Sequence, residues 1–144
     1  MKRTSIAVAI LLATTSTIAM AVARHGDWSG KIMGKGGSKI HGSASMKAGK
    51  DHNTTNVVVK ISGDGASMTR PWHVHMGSCA KAGGVFGGGT AYTPIAENKK
   101  GAGESKATLA VALPDSGTYY VNIHESATAM ATIVACGDLK HDGK

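Results

Sequence analysis

Apolar side chains recur at every second position in segment after segment of this chain, and that rhythm restricts it to strands. In "SKIHGSASMK" Ile40, Gly42, Ala44 and Met46 fall on one face. "NVVVKIS" groups Val57, Val59 and Ile61, and "PWHVHM" groups Trp72, Val74 and Met76. "TLAVAL" groups Leu109, Val111 and Leu113, and "TYYVNIH" groups Tyr119, Val121 and Ile123. "WSGKIM" and "TIVAC" read as a first and a last strand. Turn chemistry divides them at Gly34–Gly37, Gly63–Gly65 and Pro114–Gly117. No segment sustains a helical period, and no internal repeat is visible. Short strands with glycine-rich turns predict an all-β fold, an antiparallel sandwich or barrel. Residues 80–103 break the rhythm and read as a long loop without regular structure. Connections of that length are uncommon and often functional. Its "GGVFGGG" lacks the Lys-Ser/Thr that a phosphate loop needs.

The first 23 residues have a different character. Lys2 and Arg3 precede an apolar run ending in small residues, with two A-x-A exits at Ala19–Ala21 and Ala21–Ala23. That pattern predicts a signal peptide over 1–23, and export to the periplasm or the medium. Thr14, Thr15, Ser16 and Thr17 interrupt the run, so a membrane span is not expected. Residues 24–144 are enough for one domain with its own core. They carry 14 basic against 9 acidic side chains, with the lysines scattered. No basic stripe or known motif points to nucleic acid. Aromatic side chains are few, so the core must rest on aliphatic ones. Cys79 and Cys136 are the two cysteines, and in an exported chain they are expected to pair.

The stretch "RPWHVHMGSC" carries the chemistry. Strand alternation puts His73 and His75 on one face, opposite Trp72, Val74 and Met76. The same alternation turns His124 outward with Tyr120 and Asn122. If the two strands are neighbours, three imidazoles can converge on one ion; otherwise they are three separate surface histidines. Imidazole suits Cu, Zn, Ni and Fe. Met130, between His124 and Cys136, is a candidate further ligand, since thioether sulfur favours Cu(I). His41, His52, His25 and His141 read as surface residues. Asn53 heads an Asn-Thr-Thr glycosylation sequon. No Ser-His-Asp or Cys-His nucleophile set is assignable.

"WHVHMGSC", "YVNIHES" and "VACGDL", in that order, resemble the copper–zinc superoxide dismutase family. The resemblance extends loosely over residues 28–139. It implies a Greek-key β-barrel, copper ligands at His73, His75 and His124, and a Cys79–Cys136 disulfide. The departures are specific. The family's bridging histidine, its two zinc histidines and its zinc aspartate have no counterpart. No histidine lies between Met76 and Ile123, and no aspartate between Gly65 and Pro114. Zinc is therefore not expected. The family's active-site arginine, three residues before the last cysteine, is Ile133 here, and no arginine follows Arg70.

The expectation is an exported, superoxide-dismutase-like β-barrel over residues 24–144 holding one copper ion for handling or delivery. Its partners would be the copper ion and a copper-exchange protein. The alternatives are a copper-only superoxide dismutase acting on superoxide, and a metal-free structural or interaction module. The sequence does not set an oligomeric state.

Overall fold

A computed structural model describes residues 26–143 of the 144-residue chain. The expected signal peptide and His25 lie outside the described residues. Ten strands form: β1 Trp28–Gly34, β2 His41–Ala48, β3 Thr55–Ser62, β4 Thr69–Arg70, β5 Trp72–Ser78, β6 Lys81–Val85, β7 Ile95–Ala96, β8 Gly103–Leu109, β9 Tyr119–His124 and β10 Ile133–His141. Eight make one antiparallel sheet in the order β6-β5-β9-β10-β1-β2-β3-β8, and β4 pairs with β7 in a small ribbon. The chain meanders through β1, β2 and β3. It then crosses to the far flank for β5 and β6, returns to lay β8 beside β3, and crosses again to lay β9 beside β5. Such returns are Greek-key connections, and the predicted all-β barrel or sandwich class holds.

The sheet curls around the inward faces that alternation picked out. Val57, Val59, Ile61, Met46, Ala44, Ile40, Trp72, Val74, Val121 and Ile123 are all in the core. The curl brings β6 and β8 towards each other without a ladder between them. Residues 86–97 span the gap. Phe86, Tyr92 and Ile95 are buried there, and Gly87 presses so close to Leu109 that an added Cβ would lie 2.8 Å from the leucine Cβ. One carbonyl makes the join: Thr93 O accepts from Trp72 Nε1 on β5 at 2.8 Å and from Ser105 Oγ on β8 at 2.6 Å.

Three expectations need correction. The 80–103 segment is not structureless. It holds β6, a 3-10 turn at Gly89–Ala91 and β7, because a bare sheet edge there would leave Trp72 and Leu109 wet. Met76 is not core but 49% exposed. The β5–β6 register shifts between His75 and Gly77, and Gly77 takes φ +106°. The extra residue lies on β6, so β5 keeps its alternation, with Met76 opposite Tyr119 in the last pair of the β5–β9 ladder. The end of that ladder, not a change of face, leaves Met76 uncovered. The "TLAVAL" strand ends at Leu109 and begins further upstream, at Gly103. Beyond it the chain leaves the ladder. Leu113 is still buried, and Pro114 O accepts from Trp28 Nε1 at 2.7 Å, near the barrel's end.

The two cysteines are joined, with Cα atoms 5.9 Å apart and a sequence separation of 57. The bridge fastens the β5–β6 turn to β10. Asp138 on β10 adds to it, since its Oδ1 accepts from Cys79 N at 2.7 Å. Replacing both residues, as Cys79→Ser with Cys136→Ser, should cost roughly 4 kcal/mol on the chain-entropy account for a loop of this size. The measurement is a lower urea midpoint for the double variant than for the oxidised parent.

Candidate metal centre

The site is built by the register of β5 on β9. His73 lies directly opposite Asn122, and His75 directly opposite Tyr120. His124 is one step past the last paired residue, where its N–H donates to Pro71 O at 2.8 Å. It is thus the diagonal neighbour of His73 on the same sheet face, within reach of long side chains. The ring centroids of His73 lie 5.2 Å from His124 and 5.9 Å from His75, and those of His75 and His124 are 6.2 Å apart. One ligand atom from each ring falls within 4.8 Å of the others. Among the described residues this is the one group of three or more potential metal ligands.

Which nitrogen faces inward follows from what the other one does. His124 Nδ1 sits 2.6 Å from Met130 O, and His75 Nδ1 sits 3.0 Å from Gly83 O. A carbonyl only accepts, so both Nδ1 atoms carry the proton and both Nε2 atoms are bare lone pairs. The His75 Nε2 is buried with no hydrogen-bond partner. His73 is reversed. Its Nδ1 is the nitrogen turned towards the other rings, facing His124 Nε2 at 3.1 Å, and its Nε2 lies on the Gly89 side. Two imidazoles bound to one ion at about 2.0–2.1 Å would hold their nitrogens at a similar spacing. Three ring nitrogens converging, two of the rings backed by a carbonyl on the far side, is the kind of arrangement metal-binding histidines use. The residues present fit a metal ion.

Electrostatics keep the rings ready for an ion. Burial, and then the neighbouring His124 and His75, push the His73 imidazole down to about 4. Burial also lowers His124, against the pull of the Met130 carbonyl. His73 at least is thus neutral near pH 7, as a ligand must be. The sheet face carrying the rings is not the wet surface that alternation implies. His124 is 5% exposed, and Tyr120 and Asn122 are buried too. The chain after β5 folds back over this face. Its disulfide ties it to β10, Gly83 reaches His75, and Tyr92 stands edge-on to His73 at 5.2 Å.

A second polar cluster frames the site. Arg70 holds Asp64 through both Nε and Nη2, and its Nη1 donates to the carbonyl of Glu125, the residue after His124. This guanidinium, three residues before His73, pins the ends of both ligand strands together. Burial drives the Asp64 carboxyl up, but the hydrogen bonds from Arg70 and the Gly65 N–H, with the Arg70 charge, together outweigh it and hold it below its usual range. Glu97 lies beside Asp64 with both carboxylate oxygens buried and unpartnered. Burial, then the adjacent Asp64, raise it to about 7.

The remaining sequence candidates fall elsewhere. Met130 meets the site through its carbonyl. His41 is exposed, with Nδ1 on Lys39 O; His52 is exposed; and His141 packs against Trp28. The Asn53 side of the sequon lies in the exposed β2–β3 turn, while Thr55 is buried with its hydroxyl on Val111 O. Sequence reasoning missed Gly83, Gly89, Tyr92 and Tyr120. Only the closeness of Gly83 and Gly89 to the H-V-H run hinted at them. No protein-family model matches the chain, and no curated protein matches it at a significant level.

Two pH dependences follow for the metal-free protein. The folded His73 binds its proton far less readily than an unfolded histidine does. Stability therefore falls as pH drops from 6.5 towards 4. His73→Asn should flatten that slope in thermal unfolding followed from pH 7 to 4. Glu97 is shifted the other way. Its contribution is present at acid pH and lost as pH rises through about 7. Glu97→Gln should raise the melting temperature at pH 8.5 relative to the parent and give little gain at pH 5.

Proposed function

We propose that this is an exported copper-binding protein of superoxide-dismutase-like fold, in which His73, His75 and His124 hold one copper ion for handling or delivery. The observation that carries the reading is the set of three imidazole nitrogens within 4.8 Å of one another, two of the rings anchored from behind. Three histidines suit Cu(II), which binds nitrogen sites more tightly than the other first-row divalent ions. The sequence resemblance supports copper, and the missing zinc residues support a single ion. The disulfide fits an oxidising compartment, and among the described residues no helix is long and apolar enough to cross a membrane.

In this reading the chain's own groups do three things. The carbonyls of Gly83 and Met130 fix the His75 and His124 rings and raise their donor strength. Burial of the rings keeps protons from competing with the ion. Arg70 holds the two ligand strands in register. Copper itself supplies redox cycling between Cu(II) and Cu(I).

Handling is favoured over dismutation by what surrounds the rings. Ile133 stands directly opposite His124 in the ladder, where the resembling family has its arginine. The last arginine of the chain, Arg70, is buried and committed to Asp64 and Glu125. Among the described residues no guanidinium is free to draw in and orient superoxide. The dismutase reading keeps one observation in its favour: three protein ligands leave a coordination position open to a small substrate.

The test is titration of the metal-free protein with Cu(II) and with Cu(I), Zn(II) serving as competitor, followed by a superoxide assay on the same sample. One tight copper per chain is expected. In His73→Ala with His124→Ala, affinity should fall by more than the roughly 10–100-fold typical of losing an outer-shell partner. Absence of a tight site, or a site indifferent to those substitutions, would leave a module that does not use metal. Turnover approaching about 10⁸ M⁻¹s⁻¹ or more would make the protein a dismutase instead.

A further inference from the structure

The dipeptide Tyr119-Tyr120 splits across the sheet. Tyr119 faces inward and packs edge-on against Trp28 and Phe86, as alternation requires. Tyr120 faces the metal side, yet it is 1% exposed and its hydroxyl is buried without a hydrogen-bond partner. A buried phenol with an unmet hydroxyl is a cost that a smaller or apolar side chain would avoid. The ring's contact shows what it does there. Tyr120 lies directly opposite His75 in the β5–β9 ladder, and the two rings stack with centroids 5.2 Å apart and planes 27° from parallel.

His75 is the ligand most in need of such support. His73 and His124 face one another at 3.1 Å, so each limits how the other turns. His75 lies further from both, and its backing carbonyl, Gly83 O, belongs to the exposed edge strand β6. One hydrogen bond fixes where Nδ1 sits but leaves the ring free to swing about that bond. A flat aromatic face against it removes the swing, and with it any choice in where Nε2 points.

We infer that Tyr120 is a positioning residue that holds the His75 ring in the plane required for a third nitrogen to reach the ion. The inference rests on the three-histidine reading, and its consequence is specific: without the stack the site becomes a two-histidine site. The aromatic face is what matters, so Tyr120→Phe should keep the function and Tyr120→Leu should lose it.

The experiment loads parent, Tyr120→Phe and Tyr120→Leu with one equivalent of CuCl2 and counts bound imidazoles by pulsed electron paramagnetic resonance. Parent and Tyr120→Phe should each show three. Tyr120→Leu should show two, with Cu(II) affinity lower by about 10–100-fold, the range for lost outer-shell support. Three imidazoles and parental affinity in Tyr120→Leu would overturn the inference. Should Tyr120→Leu fail to fold, the metal-free parent gives the answer by nitrogen-15 NMR of its histidine rings. His75 should show a single Nδ1-H tautomer and aromatic ring-current shifts that the Phe variant keeps. A His75 ring averaging between tautomers, without those shifts, would also overturn it. If the parent binds no copper while the NMR signature is present, the copper proposal fails and the role of Tyr120 in fixing the ring stands.

Discussion

Everything at the three-histidine site depends on the hydrogen-bonded register between β5 and β9. Trp72 opposite Ile123 sets the inner face, and His73 opposite Asn122 sets the outer one. A slip of one residue would turn every side chain of one strand to the other side. His124 would then point into the aliphatic core, and Ile123 would meet His73. The register is held by the burial of Trp72, Val74, Val121 and Ile123 and by Arg70, which clamps the strand ends. Core packing and ligand geometry are thus one constraint seen from two faces of a sheet.

Much of this was legible in the chain. Alternation assigned the inner faces of β2, β3, β5 and β9 correctly, apart from Met76. It also put three histidines on the outer faces of two strands. It could not say that β5 and β9 are neighbours. That is a matter of topology, decided by crossovers joining residues some fifty apart, and only the resemblance to a known pattern supplied it. The Met76 error has a local cause: periodicity gives the face but not where the core's cover ends, and Met76 is the last residue of β5 paired with β9.

What the sequence concealed most completely is the cover over the site. Alternation tells which side a residue takes, not what will later cross that side. The glycines of residues 83–89 read as part of a long loop because they carry so little apolar area. Their value is to bring carbonyls, which no side-chain pattern reports, close to imidazole rings. The two tyrosines at the site were similarly hidden. Tyr92 sat in the supposed loop, and Tyr120 on what looked like a wet face.

The seam between β6 and β8 has a consequence of its own. Elsewhere in the barrel adjoining strands share a run of hydrogen bonds. Here the Thr93 carbonyl and a few buried side chains make the closure. Regions with few ordered backbone bonds open at the lowest free energy. The part of the shell that yields first is therefore the part that carries the rear support of His75. Under the proposed function, an ion would enter and leave where this flap parts from the β1-β2-β3 body.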